Sequence, residues 1–120
     1  MVKNGFGRII NISSISGLIG TAGQTNYSTS KAAIHGFTRS LAREIAPYNV
    51  TINSIAAGYV ETEMIETIKE EKLEEIKSQI PLKRFASTLE IAQNVQFLIS
   101  DAAAYMTGQV LPIDGGLSII

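Results

Sequence analysis

Residues 8–56 decide the fold of this chain and read RIINISSISGLIGTAGQTNYSTSKAAIHGFTRSLAREIAPYNVTINSIA. Residues 8–12 are mostly β-branched and lie between glycine-containing segments, which predicts a buried strand. Residues 25–46 have a helical period that ends at Pro47, and residues 50–56 form a second, alternating β-branched run. Strand, long helix and strand make a βαβ unit, so we expect parallel strands with the helix on one face of the sheet.

The predicted long helix has two distinct faces. One is apolar, with residues spaced by four, and we expect it to pack against the core: Ala33, Phe37, Leu41 and Ile45. The other is uniformly small and would allow an unusually close approach, either by the sheet or by another subunit: Ser28, Ala32, Gly36 and Ser40. The sequence does not choose between these two partners.

The remaining residues predict a loop, two helices and a strand. Residues 13–24 hold three glycines and four hydroxyl residues, a composition that favours an irregular loop. Residues 61–79 are rich in Glu, Lys, Ile and Met and predict a charged surface helix, which could act as a flap. Thr88 is the expected N-cap of a helix that ends at residue 98 or 99, and residues 109–113 predict a third strand. We therefore expect an α/β fold.

Length and composition exclude several classes of protein. A chain of 120 residues fits one compact domain. Its formal net charge of -1 lacks the basic excess of a nucleic-acid-binding protein. With no cysteine and one histidine, His35, neither a disulfide scaffold nor a metal cluster is expected. The apolar runs are too short for a membrane span or a secretory signal, so we expect a cytoplasmic protein.

Tyr27 and Lys31 are the first candidates for chemistry. They lie four residues apart on the predicted helix, so their side chains share a face. A nearby ammonium stabilises a phenolate, which would make the Tyr27 hydroxyl an effective general acid and base. Ser14 follows the first strand, at the edge where open α/β sheets bind ligands, and could reach the same substrate oxygen. An isolated pair of this kind is also compatible with a structural tyrosine and a solvated lysine.

The surrounding segments resemble the classical short-chain dehydrogenases/reductases. They are GRIINISSISG at residues 7–17, NYSTSKAA at residues 26–33, AREIAP at residues 42–47 and NSIAAGYVETEM at residues 53–64. Later segments, ASTLEIA, FLISDAAAYMTGQ and IDGG, are similar to the end of the same family. The resemblance is strongest to bacterial β-ketoacyl-acyl-carrier-protein reductases. It implies that residues 1–120 are the C-terminal half of a Rossmann-like doubly wound parallel sheet, with about three strands and flanking helices.

The resemblance also implies a catalytic trio. Tyr27 would protonate the substrate carbonyl as hydride arrives from the nicotinamide of NADP, or of NAD. Lys31 would assist Tyr27 and hold the nicotinamide ribose, and Ser14 would hydrogen-bond the substrate oxygen. The implied substrate is a 3-oxoacyl group, either on acyl-carrier protein or in a small molecule, and the implied assembly is a homo-oligomer, a dimer or a tetramer.

The turn after the second predicted strand matches the family segment that meets the cofactor. Gly58, Val60 and Thr62 are the implied contacts, Val60 through its backbone and Thr62 through its hydroxyl. The family's common Pro-Gly pair is here Ala57-Gly58, so we expect a less rigid turn and weaker cofactor ordering.

Four other polar residues lie near the trio. Gln24 could face the substrate pocket. Asn11 and Ser13 are expected to tie the loop to the strand. His35 is expected to pack or be solvated rather than to act as a base.

A dinucleotide site of this class needs a glycine-rich turn between a strand and a helix, and these 120 residues contain none in that position. The chain alone is therefore expected to bind NADPH poorly, and a sheet edge left open should favour association. Three functions remain: a 3-oxoacyl-acyl-carrier-protein reductase completed by an upstream half, another short-chain alcohol, sugar or acetoacetyl-thioester dehydrogenase, and a non-catalytic interaction module. A hydrolase using Ser14 and Lys31 would leave Tyr27 without a role.

Overall fold

The βαβ unit is present in the structure, a computed structural model that describes residues 1–119, except the side chains at positions 64 and 66. In chain order the elements are β1 (Gly7–Ser14), α1 (Ser16–Ile19), α2 (Thr25–Ile45), β2 (Val50–Ala57), α3 (Glu63–Glu66), α4 (Glu70–Gln79), α5 (Thr88–Ile99) and β3 (Val110–Ile113). Short 3-10 helices lie at Val2–Asn4, Ala46–Tyr48 and Asp101–Ala103.

The three strands form one parallel sheet in the order β1-β2-β3. Ser14, the last residue of β1, pairs with Ala57 of β2, and Ala57 pairs in turn with Ile113 of β3. The strands therefore end together, and their carboxyl ends form one even edge. The expected Rossmann-like parallel sheet with flanking helices is confirmed.

Helices cover both faces of this sheet, because alternate strand residues point to opposite sides. On one face, Ala42 and Ile45 of α2 pack with a cluster that includes Ile52. On the other, Leu98 of α5 packs with a cluster that includes Ile55. β2 is the central strand and is almost wholly buried, which explains its apolar and small residues.

The buried face of α2 differs from the predicted one. The buried residues are His35, Thr38, Ala42 and Ile45. Phe37 is 56% exposed and Ala33 is also exposed, so the prediction was wrong for both. Residues spaced strictly by four drift round a helix of 3.6 residues per turn, whereas a stripe facing a sheet alternates steps of three and four. The small stripe faces away from the sheet at Ala32, Gly36 and Ser40.

Three predicted boundaries also change. β1 continues through Ser13 and Ser14, because β2 offers Ala56 and Ala57 as pairing partners. The predicted loop of residues 13–24 consequently starts later, and it contains the short helix α1. The predicted helix of residues 61–79 is split into α3 and α4.

The N-cap of α5 is Ser87, not Thr88. Ser87 Oγ accepts a hydrogen bond from the Glu90 N–H at 3.2 Å, and the Glu90 carboxylate accepts one from the Ser87 N–H at 2.8 Å. This reciprocal capping box satisfies amides at the start of the helix.

Within residues 1–119, no helix has the length and apolar content needed to cross a bilayer.

Candidate active site

Tyr27 and Lys31 occupy the first two turns of α2 and share a face, as their spacing predicts. The Lys31 ammonium lies 5.6 Å from the centroid of the Tyr27 ring. Tyr27 is 43% exposed. The pair thus places a cation near the ring of an exposed tyrosine, which suits proton transfer by a tyrosine.

Lys31 also connects α2 to β1. Its Nζ donates a long hydrogen bond, 3.5 Å, to the carbonyl of Ile12. Ile12 lies two residues before the end of β1. The ammonium is therefore close to the carboxyl edge of the sheet, where open α/β folds bind their ligands.

Ser14 lies at that edge as the buried last residue of β1, not in the loop where it was predicted. Its Oγ accepts a hydrogen bond from the Ser16 N–H at 3.1 Å. A hydroxyl that accepts from the backbone keeps its own proton to donate, so Ser14 is suited to contact a substrate oxygen. Continued pairing with Ala57 fixes the backbone at this position more firmly than a loop would.

The turn after β2 is held close to the strand ends. The Gly58 N–H donates to the Ile113 carbonyl at 2.9 Å, and a Cβ at Gly58 would lie 2.8 Å from the Asp114 Cα. Only glycine fits so near another backbone. Val60 bridges to Ala86 in parallel fashion, and Thr62 is the N-cap residue of α3. The three predicted cofactor contacts therefore follow one another along this edge.

An ion pair anchors the segment that faces this turn. Arg84 binds Glu90 through two hydrogen bonds, of 2.6 and 2.8 Å. The Arg84 guanidinium, helped by the Ser87 N–H, lowers the pKa of the Glu90 carboxyl to about 2. Ala86, two residues after Arg84, accepts a hydrogen bond from the Glu61 N–H and donates one to the Tyr59 carbonyl, so this segment is bonded to the turn on both sides of Val60.

A buried polar network lies under α2, next to the trio. His35 Nε2 is 2.8 Å from Ser13 Oγ, and Ser54 Oγ donates to the same oxygen at 3.0 Å. Gly17 packs closely against the same ring, since a Cβ at Gly17 would lie 2.9 Å from His35 Cε1. Burial, and then the positive charge of Arg39, lowers the pKa of His35, so its ring is neutral at physiological pH. His35 is therefore packed and bonded, as expected, and not solvated.

A second polar contact lies one turn further along α2. Asn11 Nδ2 donates to Thr38 Oγ1 at 3.1 Å. Sequence reasoning assigned Asn11 and Ser13 structural roles but missed Thr38, Ser54 and Gly17. Thr38 and Ser54 could have been found from the sequence, because each is a hydroxyl residue at an inward position of an otherwise apolar helix or strand.

Gln24 occupies the N-cap position of α2, with no side-chain cap bond and an exposed side chain. Its carbonyl accepts from the Ser28 N–H at 2.8 Å.

Among residues 1–119, no group of three His, Cys, Asp or Glu side chains could hold a metal ion.

The residues at this edge fit the nicotinamide end of a dinucleotide. Lys31 offers an ammonium to ribose hydroxyls, and the backbone at Gly58 can be approached closely because no Cβ intervenes. The pyrophosphate would need a helix N-terminus preceded by a glycine-rich turn, which these residues do not provide.

Comparison with known proteins identifies the family of this chain. The family model described as enoyl-(acyl carrier protein) reductase matches residues 1–118. A 3-oxoacyl-acyl-carrier-protein reductase of Aquifex aeolicus is 50% identical over 117 residues, which are 98% of this chain and 47% of that protein. The corresponding reductase of Thermotoga maritima is 47% identical over 99% of this chain and 48% of its own length. An acetoacetyl-CoA reductase of Allochromatium vinosum is 50% identical over 98% of this chain and 48% of its own length.

The chain spans about half the length of the curated relatives that it matches. The match nevertheless covers nearly all of its own residues, including the edge where Ser14, Tyr27 and Lys31 lie. The chain belongs to the short-chain dehydrogenase/reductase family.

Proposed function

We propose that this chain is the catalytic half of an NAD(P)H-dependent carbonyl reductase that converts a 3-oxoacyl group on acyl-carrier protein to the 3-hydroxyacyl group. The observation that carries the proposal is the Lys31 ammonium, 5.6 Å from the ring of an accessible Tyr27. Relatives named for this reaction, at 47% and 50% identity, support the substrate class. Tyr27, Lys31 and Ser14 are the proposed catalytic residues.

In the proposed mechanism, the bound cofactor supplies hydride to the carbonyl carbon. Ser14 donates a hydrogen bond to the carbonyl oxygen and stabilises the negative charge that grows there. Tyr27 transfers its hydroxyl proton to that oxygen, which completes the alcohol. Lys31 stabilises the phenolate left behind, and the exposure of Tyr27 lets solvent restore the proton.

NADP is the proposed cofactor, with NAD as the alternative. Lys31 is proposed to hold the ribose, and Gly58, Val60 and Thr62 the carboxamide and neighbouring phosphate. The amides that flank Val60 are bonded by Ala86, which supports a preformed contact at this turn. We assign the protein to the cytoplasm, in keeping with its lack of cysteine.

We also propose a homo-oligomer. Phe37 is 56% exposed on the outward face of α2, beside the small residues Ala33 and Gly36. A large exposed aromatic side chain beside small ones suits close packing by the same helix of another copy.

The test joins this chain to the matching amino-terminal half of the Aquifex aeolicus relative, giving a fusion protein with a complete cofactor site. We expect it to oxidise NADPH in the presence of acetoacetyl thioesters. In the Tyr27→Phe variant, kcat should fall by about 100- to 10,000-fold, the range for loss of general acid catalysis. NADPH binding, measured by calorimetry, should be unchanged, because the ring and Lys31 remain.

The matched control is Tyr48→Phe. Tyr48 is 49% exposed and lies just beyond the opposite end of α2, far from the carboxyl edge. It should keep full turnover. Near-normal kcat in Tyr27→Phe, or a folded fusion protein without carbonyl reduction, would overturn the proposal.

One alternative substrate has support of its own. The Allochromatium vinosum relative is named as an acetoacetyl-CoA reductase at the same 50% identity. Comparing kcat/KM for acetoacetyl-acyl-carrier protein and acetoacetyl-CoA decides between the two carriers. A higher value for the coenzyme A thioester would favour the alternative.

A further inference from the structure

His35 takes no part in the chemistry proposed above, yet it is one of the most deeply buried polar residues of α2. Its exposure is 4%, equal to that of its partner Ser13. Burying an imidazole is unfavourable unless it is hydrogen-bonded, and the partner of His35 is Ser13, the residue next to Ser14. This arrangement ties two parts of the site together.

Ser13 Oγ lies at the centre of this network. It is 2.8 Å from His35 Nε2, accepts a hydrogen bond from Ser54 Oγ at 3.0 Å and donates to the Ile55 carbonyl at 3.2 Å. The hydrogen bonds of Ser13 therefore join α2 to both β1 and β2.

The two ends of the Ser14 segment are thereby fixed to one side chain. Ser13 precedes Ser14 and hydrogen-bonds His35, and Gly17, which follows Ser14 by three residues, packs against the His35 ring. Between them, the Ser16 N–H donates to Ser14 Oγ.

The helix turn that carries Lys31 lies directly against this segment. A Cβ at Gly17 would be 2.7 Å from the Lys31 carbonyl carbon and 2.9 Å from His35 Cε1. His35 is one turn beyond Lys31 on the same helix. His35 therefore lies where the segment that carries Ser14 touches the turn of α2 that carries Lys31.

We propose that His35 is a positioning residue, which holds the segment carrying Ser14 in register with the helix turn carrying Lys31. The inference rests on the proposed function. It predicts that loss of His35 affects the rate of the reaction more than the binding of the cofactor, because Ser14 acts on the substrate oxygen.

The test uses the same fusion protein with two His35 variants. His35→Leu removes the hydrogen bond to Ser13, and we expect kcat to fall by about 100-fold, as for a catalytic group misplaced by about 1 Å. KM for NADPH should stay within about 2-fold of the parent value, because uniform binding is untouched. His35→Gln supplies an amide that can bond Ser13, and it should recover at least about 10-fold of the lost kcat.

Thr38→Val is the matched control. Thr38 is fully buried in the same interface and also makes one side-chain bond, to Asn11. Its side-chain hydrogen bond reaches Asn11 and not the Ser14 segment. We expect a lower melting temperature, comparable to that of His35→Leu, with kcat within about 2-fold of the parent, because only a hydrogen bond outside that segment is lost. Equal losses of kcat in both variants, or an unchanged kcat in His35→Leu, would overturn the proposal.

Amide exchange tests the proposal independently of turnover. His35→Leu should lose protection at residues 15–17, and His35→Gln should keep more of it. If the parent fusion protein reduces no carbonyl, the proposed function fails, and amide exchange still tests the positioning role of His35. Equal protection of residues 15–17 in the parent protein and in His35→Leu would refute that role.

Discussion

The two ends of the interface between α2 and the sheet differ in the polarity of their buried residues. Towards the amino ends of the strands, the contact is apolar, and its buried residues are Ala42, Ile45, Val50 and Ile52. Towards the carboxyl ends, it is polar, and its buried residues are Ser13, His35, Thr38 and Ser54. Only the polar end adjoins Tyr27, Lys31 and Ser14.

Because of this difference, one end of the interface is suited to stabilise the fold and the other to align the catalytic residues. Burying an aliphatic side chain contributes about 1.5–3 kcal/mol and has little directional preference. A buried hydrogen bond contributes only about 0.5–1.5 kcal/mol net, yet it demands particular atoms at particular distances. The apolar end should therefore carry most of the stability of the interface, and the contacts of His35 at the polar end should fix the register of the site.

The largest effect is expected at the apolar end. Ile52 is fully buried in the central strand, so Ile52→Ala should lower the free energy of unfolding by about 2–5 kcal/mol, through lost burial and a new cavity. Urea denaturation of the fusion protein measures this loss. The kcat of the folded fraction should stay at the parent value. Ile99→Ala, at a side chain that is 50% exposed, is the control and should cost much less. A loss of kcat in folded Ile52→Ala would contradict the claim that the apolar end contributes stability but does not align the site.

An intermediate effect is expected where the polar end meets α1. The added methyl of Gly17→Ala would press on the backbone of residues 31 and 32, at 2.7 Å. Such overpacking costs about 1–3 kcal/mol, and the displaced segment should also lower kcat.

Gly36→Ala is the matched control on the same helix. A Cβ at Gly36 meets no atom within 4 Å. That variant should instead gain about 0.5–1 kcal/mol from helix propensity. The same denaturation series measures both, and similar effects of the two substitutions would show that the contact between α1 and α2 is not tight.

The smallest effect is expected from titration of His35. Its pKa in the folded state lies below the ordinary value of 6.5, because of burial and then the charge of Arg39. The unfolded chain therefore takes up the proton first. The free energy of unfolding should be constant above the ordinary pKa and should fall as the pH drops below it. His35→Gln should remove this slope, and a parent protein whose stability rises on acidification between about pH 7 and 5 would contradict the sign.

Much of the fold was predictable, because local signals are strong in this chain. A short β-branched run marked β1, an alternating one marked β2, and the helical period marked α2 to within a residue of its end. The shared face of Tyr27 and Lys31 followed from their spacing alone. The buried face of α2 was not predictable from a repeat of four, because the sheet selects the stripe. The position of Ser14 within β1 depended on pairing with β2, whose partner residue lies 43 positions away.

The sequence by itself determined the order of the elements, the parallel βαβ crossover and the adjacency of phenol and ammonium, because each depends on backbone periodicity over a few residues. Only the tertiary structure decided that Ser13, Gly17, His35 and Ser54 meet. These residues come from two strands and two helices, and their contact exists only when the sheet register and the packing of α2 are both in place. Hydrogen bonds between distant segments produce no repeating pattern in a sequence. The alignment of the segment carrying Ser14 with α2 was therefore visible only in the folded chain.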